Sequence, residues 1–178
     1  MAVYNYAELL ETIQTLPIRH ALVTGPQRSG TTIAARILAD DLEWQYVDED
    51  DYGHQSLAKF LLTVGRYEHA VAQGPAMSYI CHLLPNDIAI VFMYRKIEDI
   101  VASENRVHWR NHGIEYAKYP REYYMPTIAE TKYHYWRSFQ IDYIQYGFEL
   151  DYESLSGHSL FLPKDKRQRF QLRQWQAN

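Results

Sequence analysis

Cysteine is nearly missing from this chain. Cys81 stands alone among 178 residues, which excludes an internal disulfide framework and agrees with a reducing compartment. Long apolar runs are missing too. The opening MAVYNYAELLETIQTLPIRH has neither the basic start nor the apolar stretch of an export signal, so the expectation is a soluble cytoplasmic protein with no membrane partner. Positive charge is scarce: 18 Lys and Arg face 22 Asp and Glu, for a formal charge of -4. The broad cationic surface that nucleic acid requires is therefore not expected, and any anion site has to be local. The histidines have no convincing spacing with carboxylates or with Cys81, so no metal centre is expected.

What is present is enough apolar residue, 47% of the chain, to bury one sizeable core, and residues 1–178 are read as a single domain. Sixteen tyrosines are unusual for this length, and many fall between Tyr116 and Tyr146. From Thr127 onward, Ile128, Thr131, Tyr135 and Phe139 recur at helical spacing, which favours aromatic packing on an amphipathic helix over a dedicated aromatic site.

Strands alternate with helices along the chain. A leading helix over Tyr6 to Leu16 stops at Pro17, and HALVTG then runs as a strand into the helix TTIAARILADDL. Further strands are expected at WQYVD, HAVAQGP, DIAIVFMYR and YGFELDY, with helices over SLAKFLLTVGR and KIEDIVASENRVHW. Glu98 and Asp99 suit the first turn of the second of these helices. The expected fold is α/β, a three-layer α/β/α arrangement on a mostly parallel sheet of the P-loop nucleotide-binding type, with ligands beyond the carboxyl ends of the strands.

Between the first strand and its helix lies VTGPQRSGTT. Gly25 and Gly30 keep the spacing of a phosphate-binding loop, but Thr31 occupies the position of its lysine. Backbone N–H groups of such a loop cradle an anion whatever the side chains. What the lost lysine removes is the grip on distal phosphates. Arg28 returns a cation to the loop and suits bidentate contact with phosphate or sulfate oxygens, and Thr31 and Thr32 offer hydroxyls. A magnesium-dependent NTPase would also offer an aspartate at the end of a central apolar strand, where this chain has Arg95 after IVFMY. Two anion sites without a metal site suit a nucleoside phosphorylated at both ends.

Here the sequence resembles the sulfotransferases that use 3'-phosphoadenosine 5'-phosphosulfate (PAPS). Arg28, Ser29, Gly30, Thr31 and Thr32 match the family's [KR]-S-G-T-T loop, in wording closest to tyrosylprotein and bacterial members. Arg95 closing a strand and Ser103 on the next helix match the pair that binds the 3'-phosphate, with Arg106 one turn on, and YESL (Tyr152 to Leu155) is similar to a YEDL-type segment. The resemblance implies cofactor contacts from Gly25, Gln27, Arg28, Ser29, Gly30, Thr31, Thr32, Arg95, Ser103 and Arg106. PAPS would be the donor and adenosine 3',5'-bisphosphate the product. The chain departs from the family at Ile33, where cytosolic members have tryptophan, and in lacking a basic R-K-G motif. Lys164, Lys166 and Arg167 in LPKDKRQRF are expected either to cover the cofactor or to form a solvated basic tail.

Transfer to a hydroxyl needs a base. Cytosolic members use a histidine after the third strand, where this chain has AQGP. Carbohydrate and tyrosylprotein members use a glutamate after the second, which points to Glu49 first and Asp48 second within DEDD. Crowding of carboxylates there is expected to raise a pKa; the competing reading is a solvated acidic turn. His54, His82 and His108 are weaker candidates. Arg28 would stabilise the leaving phosphate. The acceptor, a hydroxyl-bearing molecule, is expected among residues 53–77 and 112–126. Two other readings stay open: a P-loop kinase or NTPase with a degenerate loop, and a nucleotide-binding protein without catalysis.

Overall fold

The computed structural model describes residues 2–108 and 112–161. Its strands are β1 (Val3–Tyr4), β2 (His20–Thr24), β3 (Gln45–Val47), β4 (Ala70–Gln73), β5 (Ile88–Tyr94) and β6 (Gly147–Asp151). The helices are α1 (Tyr6–Thr15), α2 (Thr31–Asp41), α3 (Glu49–Tyr52), α4 (Leu57–Val64), α5 (Ile97–Arg106), α6 (His112–Tyr116) and α7 (Ile128–Ser138). All the strands join one sheet in the order β1-β6-β5-β2-β4-β3, and each neighbouring pair is parallel.

The apolar runs of β2 and β5 are continuous because both faces of the sheet are covered. On β5, Ala89, Val91 and Met93 face a core built with Leu9 and Ile13 of α1 and Ala34, Ile37 and Leu38 of α2. The alternate residues Ile88, Ile90 and Phe92 face a second core with Phe60 of α4, Ile100 of α5 and Tyr133 and Trp136 of α7. The result is the three-layer arrangement that the alternation of elements predicts.

Local chemistry sets several boundaries. Asn5 and Glu8 form a capping box at α1, and Thr127 and Glu130 form another at α7. The acidic corner DEDD, for which a solvated turn was the competing reading, is a short helix instead: Asp48 caps α3 with a box completed by Asp51. β1 was not foreseen. Its two residues carry no periodicity, and only pairing of Val3 and Tyr4 with Glu149 and Leu150 of β6 makes them a strand. Among the described residues no helix is long and apolar enough to cross a membrane.

Trp136 of α7 is fully buried and stacked on Phe92 of the sheet at 4.6 Å between ring centroids. Its indole N–H is buried and finds no acceptor among the described residues. Trp136→Ala should therefore destabilise the fold by about 3 to 5 kcal/mol. Trp136→Phe should cost clearly less, because it keeps the ring stack and removes the unpaired donor. Urea unfolding of the two variants checks the order.

Candidate anion-binding site

The loop of residues 25–30 runs from the end of β2 into α2. Gly25 has φ 134°, and a Cβ there would lie 3.2 Å from the Met93 backbone nitrogen of neighbouring β5. Gly30, the N-cap of α2, has φ 100°, and a Cβ would lie 2.4 Å from the ring of Tyr152. Both positions need glycine, for conformation and for room. The buried Ser29 hydroxyl donates to the Pro26 carbonyl at 2.7 Å and closes the loop on itself.

Arg28 occupies the left-handed region, φ 65°, at a cost of roughly 1 to 2 kcal/mol for a residue with a Cβ. Two contacts hold it there. Its carbonyl accepts from Arg95 Nη1 at 2.9 Å, and its Nε donates to Ser103 Oγ at 3.2 Å. Arg106 Nη2 donates to the same Ser103 oxygen at 3.1 Å. The loop and one face of α5 thus bring Arg28 and Arg106 together on a buried serine, with Arg95 from the end of β5 on the Arg28 carbonyl. Burial lowers the Arg28 pKa, the cations of Arg106 and Arg95 lower it further, and Glu104 opposes them. The Arg95 guanidinium also lies over the Tyr152 ring, 4.3 Å from its centroid, while its buried Nε has no hydrogen-bond partner among the described residues.

The remaining loop side chains are already engaged. The Thr31 hydroxyl, expected in the cradle, turns to Gln73 Oε1 at 3.4 Å. The Gln27 side chain accepts from Lys132 Nζ. Thr32 is exposed at the first turn of α2. Lys164, Lys166 and Arg167 lie outside the described residues.

The acids stand across Gln73, whose Nε2 donates to Asp48 Oδ1 at 3.3 Å. Asp48 is heavily used: Tyr46 donates to Oδ2 at 2.7 Å, and the Asp50 N–H to Oδ1 at 3.3 Å. Glu49 is freer. Its Oε2 is buried without a hydrogen bond among the described residues, with His54 Nδ1 3.6 Å away. Its pKa is raised chiefly by burial; His54 opposes this, and Asp48 adds a smaller upward push. Crowding of acids, the expected cause, is secondary.

Of the other histidines, His82 hydrogen-bonds Gln140 at 3.1 Å and packs edge-on against Tyr135 and Phe139, and His108 lies beyond α5 with φ 53°. A cluster that spacing did not reveal joins Asp40, Asp41 and His158. Two of its members are joined by hydrogen bonds: Leu160 N–H donates to His158 Nδ1 at 3.1 Å, leaving Nε2–H to face Asp41 Oδ1 at 3.3 Å, and Tyr6 donates to Asp41 Oδ2 at 2.6 Å, while Asp40 is exposed. A concavity of 490 Å³ lined by Arg36, Asp40, Glu43, Trp44 and Tyr46 includes none of the loop residues.

Tyr152, Gln73, Glu115 and Lys132 belong to the site's surroundings without having been singled out for it. For Tyr152 the YESL resemblance was a signal; for Lys132 the only sign was a lysine between Thr131 and Tyr133 on the inner side of an amphipathic helix.

No protein-family model matches the chain, and no curated protein matches its sequence. Among solved structures it is similar to the shikimate kinase from Acinetobacter baumannii in complex with shikimate, 15% identical, with 95% of this chain and 98% of that one covered at a TM-score of 0.45. It is also similar to a gluconokinase from Sinorhizobium meliloti 1021, 16% identical, covering 76% of this chain and 82% of that one at a TM-score of 0.38.

Glu49 gives a prediction about stability. A carboxylate whose folded pKa lies above its unfolded value makes the native state bind the extra proton, so stability falls as pH rises through that window and stays lower above it. Glu49→Gln removes the buried charge. Its melting temperature should exceed that of the wild type at pH 7, and the difference should shrink once the pH is low enough to protonate Glu49.

Proposed function

We propose that this chain is a PAPS-dependent sulfotransferase acting on a hydroxyl group. The observation that carries the reading is the meeting of Arg28 and Arg106 on Ser103, with Arg95 on the Arg28 carbonyl, at the mouth of a glycine-framed loop. Two guanidiniums on one buried hydroxyl with a third beside them suit a phosphate next to the anion cradle of the loop, and a nucleotide phosphorylated at both ends would engage both.

The residues fit such a nucleotide. The loop N–H groups would take the 5' end, and Arg95, Ser103 and Arg106 the 3'-phosphate. Arg28 has its backbone in the first site and its guanidinium in the second, so it links them. Bound PAPS would supply an activated sulfuryl group, whose bond to the 5'-phosphate oxygen breaks as the acceptor oxygen bonds to sulfur. Glu49 would take the acceptor's proton. Its buried oxygen lacks a hydrogen bond among the described residues, and its raised pKa brings the carboxylate nearer the range of an efficient base. Asp48, held by Tyr46, Gln73 and the α3 backbone, would orient α3 instead. Lys164 and Arg167 keep a proposed role over the cofactor.

A kinase is the second reading. One feature favours it: Gln73 links the loop hydroxyl of Thr31 to Asp48, which places acids near the loop where a hydrated magnesium ion on a triphosphate would sit. The likeness to two kinases, at 15% and 16% identity and TM-scores of 0.45 and 0.38, is too slight to weigh on the choice. A protein that binds nucleotide without transfer would show the affinities below and no turnover.

Calorimetry in EDTA separates the readings. Adenosine 3',5'-bisphosphate should bind more tightly than 5'-AMP, and Arg95→Ala should remove most of that preference, about 2 to 5 kcal/mol for a charged partner lost from a desolvated site. Equal affinities, or ATP binding that appears only with magnesium, would promote the kinase.

Glu49→Gln should leave bisphosphate affinity near the wild-type value and slow transfer by roughly 10² to 10⁴. An effect at Asp48→Asn alone would move the base by one residue.

A further inference from the structure

Lys132 is among the largest fully buried side chains of the protein. Its Nζ lies 3.0 Å from Glu115 Oε2, and the other oxygen of Glu115 takes Lys118 at 2.5 Å. The same Nζ donates to Gln27 Oε1 inside the anion loop. The next residue of α7, Tyr133, accepts from the Arg95 N–H at 2.9 Å through its hydroxyl. Consecutive residues of one helix therefore reach the 5' loop and the strand end that carries Arg95. A buried ammonium is retained at a desolvation cost. Glu115 alone does not explain its place, because Lys118 already serves that carboxylate.

Resting on the anion-site reading above, we propose that Lys132 is the positioning residue of the loop: its ammonium holds the loop through Gln27 and supplies from inside the protein the positive charge that Thr31 does not.

The charged groups that face it are Glu115 of α6, Lys118 just after α6 and Glu104 of α5. Burial lowers its pKa to about 8, Lys118 adding to the fall while Glu115 and Glu104 oppose it. Burial alone would raise Glu115, but the ammoniums of Lys132 and Lys118 hold it below the usual carboxylate value. Lys132 thus loses its charge just above neutral pH. A lysine with a depressed folded pKa contributes stability that rises with pH between its folded and unfolded values, so neutralising it does not weaken the fold through its own titration. Cys81 is pushed up to about 12 by burial, and arginines stay charged, so neither confuses this window.

The test is calorimetry between pH 7 and 9.5 with two probes, adenosine 3',5'-bisphosphate and inorganic pyrophosphate, the second asking only that the loop be an anion cradle. Wild-type affinity should fall on the order of tenfold across this range. Lys132→Met should be about tenfold weaker at pH 7 and flat with pH, and Lys132→Arg should recover affinity without the alkaline fall. Gln27→Ala should lose a similar increment at pH 7. Circular dichroism establishes that each variant is folded; if Lys132→Met is not, the wild-type profile and Lys132→Arg decide. A flat wild-type profile, or an alkaline fall that persists in Lys132→Arg, overturns the proposal. Binding of pyrophosphate but not of the nucleotide overturns the sulfotransferase reading alone, and the pyrophosphate profile then decides the role of Lys132. Failure of both probes to bind overturns both.

Discussion

The site is organised around a cluster of like charges. Arg28 and Arg106 share the Ser103 hydroxyl, Arg95 holds the Arg28 carbonyl, and the cations of Arg106 and Arg95 act on Arg28 against Glu104 and Tyr152. Like charges in a partly desolvated place destabilise one another. Such an arrangement has to be held by the rest of the structure. Most of the architecture near the loop can be understood as the means of holding it.

The parallel sheet does the first part. Because β2 and β5 are neighbours in register, with Thr24 opposite Phe92, both strands end on the same edge, and the loop and Arg95 emerge side by side. Arg95 then locks the loop by donating to the Arg28 carbonyl, which keeps Arg28 in a left-handed conformation. Tyr152 lies against Gly30 and beneath the Arg95 guanidinium, so one aromatic ring both demands the glycine and supports the cation. Strain of this kind persists where the surroundings over-determine it.

The opposite side of the loop has different chemistry. Gln73 at the end of β4 joins the loop hydroxyl of Thr31 to Asp48, and Asp48 is spent on capping α3. Glu49, one residue on, keeps a buried oxygen without a hydrogen bond among the described residues. Two neighbouring acids therefore have separate environments, one engaged in hydrogen bonds and one partly desolvated. Cations therefore lie on one flank of the loop and acids on the other.

Several parts of this were legible in the sequence because they are local. The strands from His20, Ala70, Ile88 and Gly147, the glycine-framed loop, and Arg95 and Ser103 at a strand end and on the next helix all follow from periodicity and turn chemistry within short windows. The acidic corner was legible as a cluster but not as a helix, since its capping box depends on how Asp48 and Asp51 fold back on each other. β1 exists only through its pairing with β6, which lies at the other end of the chain. Lys132 and Gln27 are 105 positions apart, and Arg28 and Ser103 are 75 apart. Side-chain periodicity reports which face an element buries, and it says nothing about which distant residue shares that face. The sequence by itself determined the elements and the chemical types at their ends; tertiary packing alone decided which cations meet, which acid is left desolvated, and that a buried lysine reaches Gln27 of the loop.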